Sequence, residues 1–545
     1  MNRPVRTQVS SDLQLRPILA SSSAEQYSTV SAGAAAFSCA ERKPSLPSLL
    51  RPNPKPYPIS SSRGGMEVTD IPDRFCWPRR NYCGGCASED PTPMGRRHGL
   101  DPSSLYGFQE LVLADVRIRS PRRGPVSQAV SSAALAALVA HPGPFPFVSH
   151  TCGFIGIAAA DRAQLAHWFT LLATKGVEVL VFVNRPYSLR GLGLPAALFN
   201  CTSLCHLFLG AWVFPDTTKL PRGASFPNLQ QLSLGAVTME DEDLEFVLAA
   251  SPVLEILSIM GGMERAHLRL ASRSLKCAQF CLSSFHELTV VDTPCLERLF
   301  LWRCLPHHRG IKLRIGHAPK LNMLGYLEPG MHILEIGNTL IKPGTMPSPR
   351  TTVPSVQMLS LRLHFAIRNE GKMLPSFLRC FPNVDTLCIE VKPSLASIHF
   401  TWHLHYRHHS ASTLQKYLWT LINQLAVGTL NEKFWQETGT IECICSHLKV
   451  LLLREFQGEQ SELDFLMFVA ENVLVLEDMV LVLKHGRYAA QGKVAAMYKA
   501  LDSARWANGH SKLRALFNRC PEAGVTVWCL KTGSDPTFND PFFCL

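Results

Sequence analysis

The chain has 545 residues, longer than a single hydrophobic core normally spans, so it requires either several domains or one elongated repeat array. With 46% hydrophobic and 18% charged residues it is too apolar for a mostly disordered protein. The formal charge of +11 is scattered rather than gathered in a run, which argues against a nucleic-acid binder. The densest basic group, Arg117, Arg119, Arg122 and Arg123, reads as a solvated loop.

Of the 18 cysteines, several stand inside apolar runs, among them Cys277, Cys281, Cys380 and Cys388, where a thiol acts as a small buried hydrophobe. The opening residues lack the pattern of a secretory signal, so reduced thiols and a cytoplasmic or nuclear location are expected. The best apolar run, around Ala133 to Ala140, falls far short of the roughly 18 residues that cross a bilayer, and no membrane partner is expected.

Residues 1–105 are rich in Ser, Pro, Arg, Ala and Gly without helical or strand period, and mostly disordered chain is expected there. The first sixty or so carry only Asp12, Glu25 and Glu41 as acids, a bias shared with organellar transit peptides. From Phe108 the texture changes, and Leu111, Val112 and Leu113 open a folded region expected over 106–395. Asp161 is placed to cap a helix whose Leu165, Trp168, Phe169 and Leu172 share one face; Gly176 ends it, and Val177–Val183 follows as a strand.

A short pattern then recurs, an aliphatic residue followed three and five positions later by two more. Leu204, Leu207, Leu209 is the first clear copy, followed by Leu229, Leu232, Leu234 and by Leu254, Leu257, Ile259. A weaker copy at Leu275, Ala278, Phe280 precedes Leu296, Leu299, Leu301 and Leu321, Leu324, Tyr326. Val356, Leu359, Leu361 and Val384, Leu387, Ile389 complete this stretch. The intervals are 25, 25, 21, 21, 25, 35 and 28 residues, the period of leucine-rich repeats with one overlong member. In six copies a proline stands two residues before the first aliphatic position (Pro227, Pro252, Pro294, Pro319, Pro354, Pro382), where it ends the preceding segment.

The expected fold is therefore an α/β leucine-rich-repeat solenoid, a curved parallel sheet with helices and loops on its convex side. Glu240 to Ala250 reads as one return helix, the acids Glu240, Asp241, Glu242 and Asp243 sitting at its N-terminus, where the helix dipole favours them over a metal role. Residues 396–440 interrupt the array as an insertion. It resumes over 441–485 with Leu448, Leu451, Leu453 and Leu476, Met479, Leu481, a helix Ser461–Asn472 lying between, and 486–545 form a helical and strand tail.

Four segments carry a family resemblance. They are MEDEDLEFVLAASPVLEILSI (Met239–Ile259), GHAPKLNMLGYLEPGMHILEIGNTLIKPGT (Gly316–Thr345), MLPSFLRCFPNVDTLCIE (Met373–Glu390) and HLKVLLLREFQGEQSELDFLMFVAENVLVLEDMVLVL (His447–Leu483). Over roughly Ala140 to Leu483 the chain resembles plant F-box/leucine-rich-repeat proteins with a C-terminal FBD segment. That resemblance implies the substrate-recognition part of a cullin-RING (SCF) ubiquitin ligase, a ubiquitination adaptor whose F-box holds the Skp adaptor while the repeats hold the target. Asp70, Ile71, Pro72 and Asp73 match the opening of an F-box as a remnant near 66–75. Cys76 to Gly99, which follow, are Cys-, Gly-, Pro- and Arg-rich and supply no F-box helices, which puts Skp binding in doubt.

No reaction chemistry emerges. Cys76, Cys83, Cys86 and His98 match no common zinc spacing; Cys443, Cys445 and His447 alternate as on a strand without a full ligand set; His403, His405, His408 and His409 crowd one part of the insertion. Gly191 and Gly193 form a lone Gly-x-Gly followed by Pro195, not a dinucleotide fingerprint. No catalytic residue, metal or cofactor is expected. If the aliphatic positions point inward, alternation sends His206, Phe208, Ile256, Ser258, Arg298, Phe300, Trp302, Ser360 and Arg362 to the concave face. Of these, Phe208, Arg298, Phe300, Trp302 and Arg362 are the expected partner contacts, since aromatics and arginines dominate protein interfaces. The competing reading is that a loop or the C-terminal tail covers them. The expected function is a protein-interaction scaffold, in or out of a ligase, ahead of a nucleic-acid binder.

Overall fold

The computed structural model describes residues 6–8, 110–114, 147–151, 162–184, 193–261, 266–302, 304–306, 310–392, 432–483 and 512–517, with isolated positions within 135–144 and 499–509. These belong to one of two compact units, the one made of 1–11 and 70–545; the other, 12–69, lies outside the described residues. So do the F-box remnant, the Arg117–Arg123 group, Asp161, Gly191, the Cys76–His98 group and the histidines at 403–409.

Leu165, Trp168, Phe169 and Leu172 form the buried stripe of helix α1 (Arg162–Thr174), and Gly176 follows it at φ +66°, a left-handed geometry that favours glycine. Strand β4 (Val179–Val183) comes next, and from there every aliphatic triplet produces one strand. Numbered in chain order, these are β5 (His206–Gly210), β6 (Gln231–Gly235), β7 (Ile256–Met260), β9 (Cys277–Cys281), β11 (Arg298–Trp302), β14 (Met323–Leu327), β17 (Met358–Leu363), β18 (Thr386–Val391), β19 (Val450–Phe456) and β20 (Asp478–Leu483). With β1 (Arg6–Gln8), β2 (Glu110–Ala114) and β3 (Phe147–Thr151) at one end and β21 (Lys512–Phe517) at the other, they form one parallel sheet of 15 strands among the described residues.

Its register is uniform. Leu207, Leu232, Leu257, Ala278, Leu299, Leu324, Leu359, Leu387, Leu451 and Met479 lie directly opposite one another down the sheet, none more than 1% exposed. Entry into each strand is fixed the same way: one carbonyl accepts two successive N–H groups of the next repeat. Glu178 O takes those of Cys205 and His206, Cys205 O those of Gln230 and Gln231, and the rule runs on to Lys449 O with Glu477 and Asp478. One triplet needs correction. Between Leu324 and Leu327 the pairing of β14 with β17 shifts, so Leu327, not Tyr326, sits opposite Leu361 and joins the main core. Tyr326 instead packs with Cys281 and Trp302.

Helices α1, α2 (Asp241–Ala250), α3 (Arg368–Arg379), α4 (Glu432–Thr438) and α5 (Gln460–Asn472) belong to return segments at either end of the array. In between, the return segments are strands, a departure from helices and loops alone. Strands β8 (Ala266–Ala271), β10 (Ser284–Asp292), β12 (Leu305–Pro306), β13 (Ile311–His317) and β15 (His332–Ile336) pair in parallel, and β16 (Thr339–Leu340) adds an antiparallel turn-back. The reason is local. The two 21-residue repeats, which carry β8 and β10, leave little room for a helix, and in the longer repeats a segment such as Ile311–His317 alternates more and less buried with period two, as Ala266–Ala271 does. Helix α2 packs on β8, and a two-residue turn with positive φ at Gly337 (+51°) and Asn338 (+66°) folds β16 onto β15.

The core is continuous from α1 to β20. Leu232→Ala and Leu299→Ala, each at a fully buried position of the leucine column, are expected to destabilise the protein by about 2 to 5 kcal/mol in chemical denaturation. Val253→Ala, at a 41%-exposed position, serves as the near-neutral control.

Candidate functional site

Because strand residues alternate, the positions between the core leucines line the sheet face turned away from the core. Along β5, β6, β7, β9 and β11 the central row there is Phe208, Ser233, Ser258, Gln279 and Phe300, again directly opposite one another. Three of the five expected contact residues lie deep: Phe208, Phe300 and Trp302 are 4%, 2% and 5% exposed. Phe300 belongs to a second apolar cluster with Cys277, Met323, Cys388, Leu452, Val480 and Val482, separate from the main core. Arg298 is half-buried, its guanidinium carbon 5.8 Å from the Phe300 ring centre, a cation–π arrangement. The structure thus brings Arg298, Phe300 and Trp302 together on one strand. Phe208 lies four strands away, and Arg362 belongs to an ionic cluster. Access to this face runs along the first strand position, where His206 is exposed and Ile256, Arg298 and Met358 are half-buried.

The same face holds further polar groups, of which the sequence reading named only Ser360, although the same alternation reveals the others. Gln231 Nε2, Ser233 Oγ, Gln279 Oε1 and Ser360 Oγ are buried without a hydrogen-bond partner. A buried polar atom left so costs on the order of 1 to 3 kcal/mol, which gives this face a capacity for hydrogen bonds that the fold itself does not use.

Arg362 anchors a buried ionic cluster at the ends of β14, β17 and β18. Its Nε donates to Glu390 Oε1 at 3.0 Å and its Nη1 to Glu328 Oε1 at 3.1 Å. Lys392 Nζ lies 2.8 Å from Glu328 Oε2 and 3.2 Å from both carboxylate oxygens of Glu370. Burial alone would raise the Glu328 pKa, but Lys392 and Arg362 overcome it and hold the carboxyl at about 2. Burial lowers His332 to about 4 against the pull of Glu328, and its Nδ1 accepts the Glu328 N–H at 3.0 Å, which fits a neutral ring. Burial also holds Glu370 above the usual carboxylate range.

The remaining sequence candidates have structural roles. In the acid run, Asp243 accepts from Thr217 N and Thr217 Oγ1 at 3.0 and 2.7 Å and from Glu240 N at 3.1 Å, while Asp241 accepts from His267 N at 2.9 Å. Cys443–His447 is a π-helical turn rather than a strand, because it closes the loop that delivers Leu448 to the core; Cys443 is buried there, its thiol directed at Leu378 O. Gly193 forms a bridge to Val213. Among the described residues no group of three or more His, Cys, Asp or Glu is arranged to hold a metal ion, and no helix is long and apolar enough to cross a membrane.

Residues 165–389 match the family described as FBD-associated F-box protein At5g56370, LRR repeats, and residues 436–481 match the FBD family. No curated protein and no solved structure matches the chain.

The ionic cluster makes stability acid-sensitive. A folded His332 value of about 4 against an ordinary 6.5 gives a contribution complete above pH 6.5 and lost as pH falls through 4. Glu328, at about 2 against 4.5, contributes fully above pH 4.5 and loses that contribution toward pH 2. Glu370 runs the other way and offsets part of the loss. Denaturation midpoints at pH 7, 5 and 3 should fall in that order. Glu328→Gln, which strands Arg362 and Lys392, should destabilise by roughly 3 to 5 kcal/mol at pH 7.

Of the described cysteines, Cys201, Cys205, Cys281, Cys295, Cys304, Cys380, Cys443 and Cys445 are free thiols, and burial pushes Cys201, Cys281, Cys380 and Cys443 up to about 12. Among the described cysteines, native protein at pH 8 should therefore alkylate first at the half-buried Cys205, Cys295 and Cys445 and leave these four unreacted until denaturant is added. Mass spectrometry without reductant reads the order, and several stoichiometric disulfides in protected samples would contradict a reducing compartment.

Proposed function

The chain is an F-box/LRR-like protein with an FBD segment, and from that premise we propose that it selects a target protein for ubiquitination, as the substrate-recognition part of an SCF-type ligase. Both matched families are protein-interaction modules rather than known enzymes, and no catalytic residue is assigned. One observation carries the reading. The sheet face away from the core sets Arg298 over Phe300 beside Trp302, next to a row of buried polar atoms that lack partners. A cationic and aromatic group with hydrogen-bonding capacity to spare suits a protein surface. On this reading Arg298 makes the direct contact and Phe300 and Trp302 hold it in place, with Phe208 and Arg362 shaping the flanks.

The proposed organisation assigns target binding to 106–395, the FBD-like closing repeats to 441–485 and the insertion to 396–440, with 1–105 and 486–545 as flanking tails. The free thiols support a cytoplasmic or nuclear location. A second reading, a stand-alone scaffold without a ligase link, is favoured by the composition of Cys76 to Gly99. A standard interface needs about 800 Å² from each partner, and prolines 72, 78, 91 and 93 break any continuous helical docking face over 66–105. On the proposed reading, Skp binding by the purified chain is weak.

Affinity purification of the full chain and of Arg298→Glu, followed by mass spectrometry, tests both readings. A partner protein lost from the Arg298→Glu sample, at unchanged melting temperature, supports the site. Co-purified Skp adaptor and cullin place it in a ligase, their absence leaves the scaffold reading, and nuclease-sensitive material would sink both. Sub-micromolar Skp binding that survives deletion of 106–545 would reveal a divergent F-box.

A further inference from the structure

The overlong repeat, 35 residues from Leu321 to Val356, owes its length to the β15–β16 turn-back and the segment after it. From Lys342 to Arg350 nearly every residue is exposed, Met346 at 75%, and 345–348 form neither helix nor strand. Pro343, Pro347 and Pro349 lack the N–H that a sheet would need, which keeps this stretch extended and out of ladders.

Among the described residues three Ser-Pro or Thr-Pro steps occur, and burial separates them. Ser251–Pro252 and Thr293–Pro294 are the prolines that end return segments, and both hydroxyl residues are 0% exposed. Ser348–Pro349 alone of the three lies at the surface. Ser348 opens a tight turn with Pro349 in its second position, closed by Thr351 N donating to Ser348 O at 2.9 Å. Gly337, where an added Cβ would lie 2.5 Å from Arg350 O, seats this turn against the β15–β16 hairpin. The turn is held at a fixed place on the surface.

We infer that Ser348 is a phosphorylation site for a proline-directed serine/threonine kinase. Such an enzyme selects proline after the acceptor because its pocket offers no partner for an N–H there, and proline has none. Ser348 Oγ bonds to the γ-phosphorus of ATP, the bond from that phosphorus to the bridging oxygen breaks, ADP leaves with the electron pair, and the hydroxyl proton passes to the kinase base. The turn is chemically prepared for the product. Ser348 Oγ and Thr351 Oγ1 lie 2.9 Å apart with either able to donate, and Ser348 N donates to Thr351 Oγ1 at 2.8 Å. After transfer the Ser348 oxygens only accept and Thr351 supplies its proton, so the turn persists while a charge of about −2 arises beside Arg350.

The test incubates the purified full chain with Mg-ATP and a kinase of the mitogen-activated class, then maps phosphate by tandem mass spectrometry. A peptide spanning residues 343–354 is run in parallel. The expected result is phosphate on Ser348 of the folded chain, none on Ser251 or Thr293, none at 348 in Ser348→Ala, and a rate at least tenfold lower in Pro349→Ala. The phosphorylated chain should melt at the same temperature as the parent. Phosphate on the peptide but not on the folded chain, phosphate on neither, or equal modification of Ser251 and Thr293 would each overturn the assignment.

Discussion

The structure depends on one register constraint: a single carbonyl at the foot of each strand accepts two N–H groups from the next repeat. Pairing fixed in this way leaves no one-residue slip, and a slip in a sheet would turn every inward leucine outward. The column from Leu207 to Met479 is the consequence, since each apolar side chain falls on its counterpart and excludes water over the full length of the array. Chain length between strands is then free to vary. Intervals from 21 to 35 residues are accommodated by changing what lies on the return side, a helix in some repeats and a strand or a strand hairpin in others.

The return helices share a second device. Asp243, Glu370 and Glu462 each occupy the third position of their helix, buried, and each accepts backbone N–H groups from the loop that leads in: Glu240 for Asp243, His364 for Glu370, and Gln457, Gly458 and Glu459 for Glu462. An acid there answers the unsatisfied donors of a helix start and the positive end of its dipole at once. In α3 the same carboxylate is drawn into the ionic cluster through Lys392, so the helix start, two strand ends and the Arg362 side chain are one charged unit.

The repeat array was largely legible from residue spacing, because a triplet such as Leu229, Leu232, Leu234 is a local signal that tertiary context reinforces. Tyr326 was misassigned because a bulge adds one residue without changing the apolar texture, and Leu327 next door satisfies the same pattern. The second sheet carried a readable period-two signal in Ala266–Ala271 and Ile311–His317, masked by the prior that repeats return through helices. The ionic cluster was not legible at all. Glu328, Arg362, Glu370 and Lys392 follow no period and meet only because three strands end side by side. For the candidate site, alternation gave the face of Phe300 and Trp302 but not their depth, which neighbouring strands set through Met323, Cys388 and Tyr326.

The two family matches describe one physical object. Between β18 and β19 the sequence runs from Val391 to Val450, yet the strands pair in parallel with Leu387 opposite Leu451 and Ile389 opposite Leu453. The shared-carbonyl rule crosses that gap unchanged: Asp385 O accepts from Lys449 and Val450, and Lys449 O from Glu477 and Asp478. Gln457 Nε2 donates back to Lys392 O, tying the FBD-matched segment to the ionic cluster. The FBD segment therefore extends the repeat sheet through β19, α5 and β20 rather than standing beside it. Its strands cover the edge of β18, whose Leu387, Cys388 and Ile389 would otherwise meet water beside an unpaired backbone. The FBD segment thus pairs the edge that β18 would leave open and carries the sheet on to β21.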